Sequence, residues 1–434
     1  MRTLILILLT ISASAQEYNN WVISRNNHIR FPGPTNQPIS QITTTEGCAT
    51  ISDNTGQLLM YSDGIRVWNR NHVQMPNGFG LLGGNSSSQS VIITAQPGTT
   101  NFYYIFTTPQ QGSGGLHYYS VVNMSLNSGL GDVIVKNVLI AGNTCELMTM
   151  CMASNNVDKW IVTHELSNNR FRAIKLTAFG ITSIVTSNVG ANVTGEIGAL
   201  RSSPLRDRIA MANYAQGNSY IYNFNNATGA ITNQTLLSSE PGPYSFEFSP
   251  NSKLLYLSFN ATNKIQQFDV CTNTLVHTIV PAIGNLVGTM QATPDGRIFI
   301  AQKFSSFLHC IRFPNVLGAG CTFTPNFYAT AFMLEFGLPN NVQPCPLPVI
   351  LPFAYNLNCN NLIASLPVLD CILTVQNIEW LVNGIVISNA PILNTTIVGN
   401  NTVTLRFKTQ CLDYVYTYNL NGNVNNVIGN INSN

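Results

Sequence analysis

The sequence predicts an all-β chain: a seven-bladed β-propeller over residues 16–345, then a small immunoglobulin-like or PKD-like β-sandwich over 346–434. Three observations carry this expectation. A phrase of turn residues followed by three or four β-favouring apolar residues recurs, its apolar runs opening at Leu58, Phe102, Trp160, Ile209, Leu254 and Ile298. The spacings are 44, 58, 49, 45 and 44 residues, a period that suits four short strands per unit. Helical periodicity is nearly absent, and the period stops near Cys345 while alternating strands continue. A unit of that size cannot bury its faces alone, so the copies must stack in a ring.

Residues 1–15 read as a signal peptide. Arg2 precedes a largely apolar run from Leu4 to Ile11, and Ala13-Ser14-Ala15 supplies a small-residue cleavage site. The run is too short to span a bilayer, and no later stretch reaches 18 apolar residues. Trp21–Ser24 and His28–Phe31 are strand-like but have no phrase of their own, and Phe327–Phe336 is orphaned at the other end of the repeat. Joining them completes a seventh WD40- or YVTN-like blade and removes open edges. A six-blade ring with a flanking N-terminal hairpin is the alternative.

Each phrase reads as a hairpin: Asp53-Asn54-Thr55-Gly56 before Leu58, Gln96-Pro97-Gly98 before Phe102, Asn155–Asp158 before Trp160, then Ser203-Pro204, Ser249-Pro250 and Thr293–Gly296. The long second spacing carries a Gly-rich insertion at 111–115. Alternating strands such as Ser219–Phe224 and Lys264–Val270 follow, ending in turns such as Asn226-Ala227-Thr228-Gly229. Beyond Cys345, Ile378–Val382 and Thr402–Phe407 alternate, with Cys371, Trp380 and Cys411 placed as in sandwiches where a Trp packs on a disulfide. The Asn- and Gly-rich stretch from Asn421 reads as a frayed end.

Composition narrows the function. Only 38 of 434 residues are charged, the formal net charge is +2, and 54 residues are Asn. No basic stripe exists to neutralise phosphates, which excludes a nucleic-acid binder of that kind. Ten cysteines suit an oxidising compartment. Close neighbours give the simplest pairings, Cys145–Cys151, Cys310–Cys321, Cys345–Cys359 and Cys371–Cys411, leaving Cys48 and Cys271 as candidate free thiols. No zinc spacing, Gly-x-Ser-x-Gly phrase, P-loop or dinucleotide fingerprint is present. Paired carboxylates of the glycosidase kind assemble from separate blades, so the sequence leaves them open. Trp68 and the tyrosines at 103, 104, 118 and 119 sit at alternating strand spacing and read as inter-blade packing ahead of sugar stacking.

One frame points to a site. Glu46, Gln89, Glu146, Glu196, Glu240 and, more weakly, Asn285 lie 12 to 14 residues before the six apolar runs. Four of only nine glutamates therefore fall where the chain enters each innermost strand. Such side chains would ring one mouth of a central channel, focus negative potential there and attract a glycan's hydroxyls or a bridging Ca2+. Their competing role is to satisfy strand-start N–H groups. No catalytic residue, resident metal or cofactor is expected otherwise.

Glu46-Gly47-Cys48-Ala49, Gly56–Gly64, Val67-Trp68-Asn69, Met75-Pro76-Asn77-Gly78, Ser87–Ser90, Tyr103–Thr107, Lys159–His164, Phe248-Ser249-Pro250, Pro294-Asp295-Gly296 and Gly337–Asn340 follow one another in an order that resembles a family of exported β-propellers. These are gliding-motility-associated and type IX secretion cargo proteins of the Bacteroidota. The resemblance spans about residues 20–342 and implies a secreted or cell-surface propeller, often followed by PKD or immunoglobulin-like modules. That family's sorting domain is not recognisable here. The expected function is thus a non-catalytic adhesion or gliding-associated module that binds extracellular proteins or surface glycans. The alternative is a carbohydrate-active enzyme, a lyase or glycosidase, using a central pocket.

Overall fold

The computed structural model describes residues 16–111, 114–281, 286–342, 355–358, 360–366, 375–409, 413–421 and 427–429. The signal-peptide segment 1–15, Asn285 and most of the Asn-rich end lie outside the described residues. The chain divides into two units, Met1–Pro344 and Cys345–Asn434. Among the described residues no helix is long and apolar enough to cross a membrane.

The first unit is β-propeller-like. A three-stranded sheet (Asn20–Ile23, Asn27–Arg30, Thr35–Asn36) precedes six four-stranded antiparallel meanders, each pairing its strands in sequence order. We number these sheets one to six. Their first strands are Ala49–Ser52, Val91–Ala95, Thr144–Met152, Gly198–Ser202, Pro243–Phe248 and Val287–Ala292. Their second strands hold the apolar runs seen in the sequence, from Leu58–Ser62 to Ile298–Gln302. First and second strands are almost wholly buried, whereas fourth strands such as Gly180–Val193 are largely exposed. That gradient explains the composition: inner strands carry apolar residues on both faces, and outer strands carry many exposed polar ones.

Each recurring phrase is the hairpin between first and second strands, and side chains build it. Asp53 Oδ1 accepts the backbone N–H groups of Thr55 at 2.8 Å and Gln57 at 3.0 Å. Ser203, Ser249 and Thr293 hydroxyls do the same for Arg208, Leu254 and Arg297. The turn at Asn226–Gly229 shows why its last residue is glycine. Its φ is +80°, and a Cβ there would lie 2.7 Å from the ring of Trp160, whose Nε1 donates to the Asn226 carbonyl at 2.8 Å.

Cores lie between adjacent sheets. Trp160, Val162 and Phe171 of sheet three pack with Leu200, Met211 and Tyr222 of sheet four. The N-terminal sheet obeys the same rule at the ends of the repeat. Trp21, Val22, Ile23, Ile29 and Phe31 share one core with Leu58, Tyr61 and Trp68 of sheet one and Phe299, Leu308 and Cys310 of sheet six. The segment 334–341 runs between the first strands of sheets six and one: Thr289 N–H donates to Phe336 O at 2.9 Å, and Asn340 N–H to Cys48 O at 3.1 Å.

Two expected disulfides are not formed, because Cys145, Cys151, Cys310 and Cys321 are free, buried thiols, as is Cys48, whereas Cys271, expected to be free, is disulfide-bonded. Cys145 and Cys151 stand six positions apart on one strand, Thr144–Met152, roughly 20 Å when extended and far beyond disulfide reach. Cys310 faces the core shared with the N-terminal sheet, whereas Cys321 faces the core between sheets five and six. The pairs Cys345–Cys359 and Cys371–Cys411 lie outside the described residues.

The second unit has two four-stranded antiparallel sheets. One is ordered Ile392–Thr396, Asn361–Ser365, Tyr355–Asn358, Val427–Gly429; the other Ile385–Ser388, Gln376–Val382, Asn400–Lys408, Asp413–Asn421. Trp380 centres their core against Leu357, Leu362, Val403 and Leu405, and its Nε1 donates to the Ala390 carbonyl at 3.0 Å.

Two predictions follow from this packing. Removing residues 16–35 exposes the flanks of sheets one and six, so the truncated chain should lose its cooperative thermal transition; an unchanged melting curve would refute the closure. The second concerns acid. Burial drives His28, His164 and His309 down to about 4 and His117 to about 3, so the folded chain binds fewer protons than the unfolded one below the ordinary histidine value of 6.5. Stability should be complete above about pH 6.5 and fall as pH drops toward 4, by on the order of 2 kcal/mol per histidine at pH 5. Urea unfolding midpoints measured from pH 8 to pH 4.5 test this.

Candidate functional site

The first strands converge on an axis that is polar and nearly filled. Gln89 sits two residues before Val91, and its amide reaches across to two other sheets: Oε1 accepts from Met148 N at 2.9 Å and Leu200 N at 2.7 Å, while Nε2 donates to Leu200 O at 2.8 Å. Arg201 donates to the carbonyls of Phe246 at 3.2 Å, Asn341 at 3.0 Å and Met290 at 3.3 Å. Its guanidinium lies 3.6 Å from Glu247, which accepts the Ala292 and Phe248 N–H groups. Asn340 Nδ2 donates to Met148 O at 2.9 Å. Between Gln89, Arg201, Tyr244, Thr289 and Asn340 a space of about 10 Å³ remains, room for roughly one water.

At the end where the chain enters the first strands, three of the five expected residues come together. Glu46 accepts from the Tyr244 hydroxyl at 2.7 Å and from Ser86 at 3.3 Å. Glu146 accepts from Ser88 N at 2.7 Å, Ser88 Oγ at 2.8 Å and Gln111 N at 2.6 Å. The Glu196 carbonyl accepts the Glu146 N–H at 3.0 Å, which seats half-buried Glu196 beside it. Tyr244 lies 5.6 Å from Phe336 and 6.3 Å from Tyr214, ring to ring.

Two expected ring members leave the set. Gln89 is sequestered inside the axis, where its hydrogen bonds staple strands together. Glu240 turns outward, because Lys264 and Gln266 on its own sheet supply an ion pair and a hydrogen bond. The strand-entry frame fixes backbone position, and partners within reach decide where each side chain goes.

Burial sets the electrostatics of the mouth. It pushes the Glu46 carboxyl up to about 7; the negative charge of Glu146 adds to this, and the Tyr244 hydroxyl works against it. Burial raises Glu146 as well, opposed by the Ser88 and Gln111 donors. The Tyr244 hydroxyl is pushed well above its ordinary range by burial and by Glu46. Among the described residues no group of three His, Cys, Asp or Glu side chains is placed to hold a metal ion.

The far end of the same strands carries a buried cation. Lys159, lowered to about 8 by burial, donates to Thr94 Oγ1 and Ala95 O, both at 2.7 Å. The Glu17 carboxylate of the N-terminal segment is the charge that opposes this shift. Trp68 stacks on Tyr61 at 5.2 Å and Tyr104 on Tyr119 at 5.5 Å, and Trp68, Tyr103 and Tyr104 also contribute to cores between adjacent sheets.

Sequence reasoning missed Tyr244, Arg201 and Glu247. The available signal was a charged residue inside a wholly buried first strand of a charge-poor chain.

No family model matches the chain, and no curated protein matches it in sequence. Solved structures do. Kluyveromyces lactis Hsv2 with loop 6CD replaced by a Gly-Ser linker shares 8% identity, covering 74% of this chain and 94% of that one with a TM-score of 0.42. A functionally unknown protein from Desulfotomaculum acetoxidans shares 14%, covering 81% and 99% with a TM-score of 0.41. Apo AztD from Citrobacter koseri shares 10%, covering 74% and 88% with a TM-score of 0.41.

The axis yields a stability prediction. Changing Glu247→Gln leaves the Arg201 charge buried without its counter-charge, which should cost about 3 kcal/mol. Chemical denaturation of the variant measures it, and a loss below about 0.5 kcal/mol would show that the three carbonyls alone suffice for Arg201.

Proposed function

We propose that this chain is an exported, non-catalytic interaction module, a seven-bladed propeller followed by an immunoglobulin-like or PKD-like sandwich, that binds extracellular proteins or surface glycans at its carboxylate-lined mouth. The observation that carries the reading is the placement of Glu46 and Glu146 near Tyr244, with Glu196 beside Glu146, at one end of an otherwise filled axis. An axis filled to about one water between Gln89, Arg201 and Tyr244 favours recognition at a surface over turnover inside it. Seven blades are supported by the N-terminal sheet, which shares a core with sheets one and six, and by segment 334–341 between their first strands. Export is supported by the N-terminal Arg2, apolar run and Ala13-Ser14-Ala15, and by the disulfide-bonded state of Cys271. The ordered phrases from Glu46 to Asn340 support kinship with the Bacteroidota gliding and type IX secretion cargo propellers.

One observation favours a second reading. Glu46, raised to about 7, lies within electrostatic reach of Glu146, and two carboxyls in unlike environments are what a glycosidase's acid and base require. One experiment separates the two. The purified chain is screened on a glycan array and on soluble polysaccharides, beside the triple variant Glu46→Gln, Glu146→Gln, Glu196→Gln. Binding should weaken at least tenfold in the variant with an unchanged melting curve. Polysaccharide cleavage abolished by Glu146→Gln alone would overturn the non-catalytic reading, and unchanged binding would make the cluster purely structural.

A further inference from the structure

Beside the mouth, the rim built by sheet six and the loop after it presents apolar side chains to solvent. Phe304 is 58% exposed, Met333 42%, Phe307 38% and Phe332 37%. They form one surface, because the loop 330–334 is hydrogen-bonded to the turn 304–306: Phe304 N–H to Leu334 O at 2.9 Å, Leu334 N–H to Ser305 O at 2.7 Å, and Thr330 N–H to Ser306 O at 2.9 Å. The surface is also rigid. Asn27 holds Phe332 by both backbone groups, accepting its N–H at 2.9 Å and donating to its carbonyl at 3.2 Å.

Phe304 has a φ of +67°. Most non-glycine residues with positive φ in this chain are Asn or Ser, which tolerate that conformation through local hydrogen bonds. A bulky aromatic ring there is conformationally unfavourable and gains little from packing when more than half exposed. Such a residue is explained by what its ring contacts when a partner is present.

The rim is continuous with the mouth. The Lys303 ammonium lies 5.1 Å from the Phe304 ring and 4.8 Å from that of Phe336, and Phe336 packs on Tyr244, which binds Glu46. Charge is distributed unevenly across it. The basic groups of the rim, Arg25 and Lys303, are both paired with Glu335. The carboxylates of Glu46 and Glu146 are held by hydroxyls and backbone N–H groups, which do not cancel their charge, and Lys303 opposes the charge of Glu46 only at longer range. The space of about 10 Å³ beneath Tyr244 is too small for a pyranose ring.

We infer that this rim is the docking surface for a polypeptide segment in which a lysine or arginine is flanked by apolar side chains, the cation directed to Glu46 and Glu146 and the apolar groups covering Phe304, Phe307, Phe332 and Met333. The inference rests on the reading of the mouth as the binding end and names the class of partner. Phenylalanine and methionine offer dispersion contact and adaptability to apolar side chains, and the carboxylates fix register by selecting where the cation falls.

The test pans a phage-displayed library of random 12-residue peptides against the full chain, with Glu46→Gln/Glu146→Gln protein as the counter-selection. Enriched peptides should carry a basic residue between apolar ones and lose at least tenfold in affinity when that residue becomes norleucine, read by fluorescence anisotropy. Phe304→Asn should weaken the same peptides at least tenfold while leaving the melting temperature unchanged or higher, since Asn accepts the left-handed backbone. Met333→Ser serves as a second, exposed variant. Enrichment without that pattern, or binding indifferent to Phe304→Asn, overturns the inference. So does a concentration-dependent dimer, dissolved by Phe304→Asn in sedimentation, because a second copy then covers the rim. Glycans that bind through Glu46 and Glu146 while peptides do not would overturn the peptide partner and leave the mouth reading standing; carboxylate variants without effect on either ligand would overturn both.

Discussion

The first unit depends on satisfying polar groups where its first strands meet. Strands converging on an axis bring backbone carbonyls and N–H groups into a space too narrow for much water, and unpaired groups there are costly. Gln89 and Arg201 resolve this by acting across sheets. Gln89 joins the strands of sheets three and four through one amide, and Arg201 collects carbonyls from sheet five, sheet six and the segment after it. Each side chain fixes the relative height of strands that are far apart in sequence. The inter-sheet cores supply most of the apolar burial, but packing alone is less selective about axial register than a fixed set of donors and acceptors.

The same constraint decides what the sequence can reveal. Meander order, hairpin positions and the length of each repeat are local properties, written in turn chemistry such as Asp53-Asn54-Thr55-Gly56 and in apolar runs such as Leu254–Leu257, so they are legible. The strand-entry frame is legible for the same reason, and in the structure Glu46, Glu146 and Glu196 lie at one end of it. Gln89 and Glu240 occupy equivalent positions and go elsewhere, because the amides of Met148 and Leu200 claim one and Lys264 claims the other. Those partners lie on strands whose mutual placement is a property of the assembled ring. Two of the four cysteine pairings failed similarly: proximity along the chain says nothing about which core a thiol faces, and Cys310 and Cys321 face different ones.

Low charge and high Asn content are linked to this architecture. Among the described residues, twelve of the 21 non-glycine positions with positive φ are Asn, so much of the asparagine serves tight turns that a chain of short strands needs in number. The few charges are mostly occupied in local structure. Asp63 holds Arg66, Asp295 holds Arg297, and Glu165 holds Arg170 and Arg172. A carboxylate bound by neutral donors stands out against that background.

Glu46 and Glu146 are such carboxylates, and their surroundings make them responsive. Holding two acidic groups near one another in a half-dry mouth destabilises their charged forms, which is why Glu46 is raised to about 7. Below that pH the mouth carries less negative charge; above it Glu46 ionises and repels Glu146 more strongly. An incoming cation relieves this repulsion, and by linkage its binding releases a proton from the site when Glu46 is partly protonated. The electrostatic strain at the mouth and the affinity for positive charge that we propose for it are thus two aspects of one arrangement. A stably ion-paired mouth would be more comfortable for the fold, and it would have no unspent attraction to offer a partner.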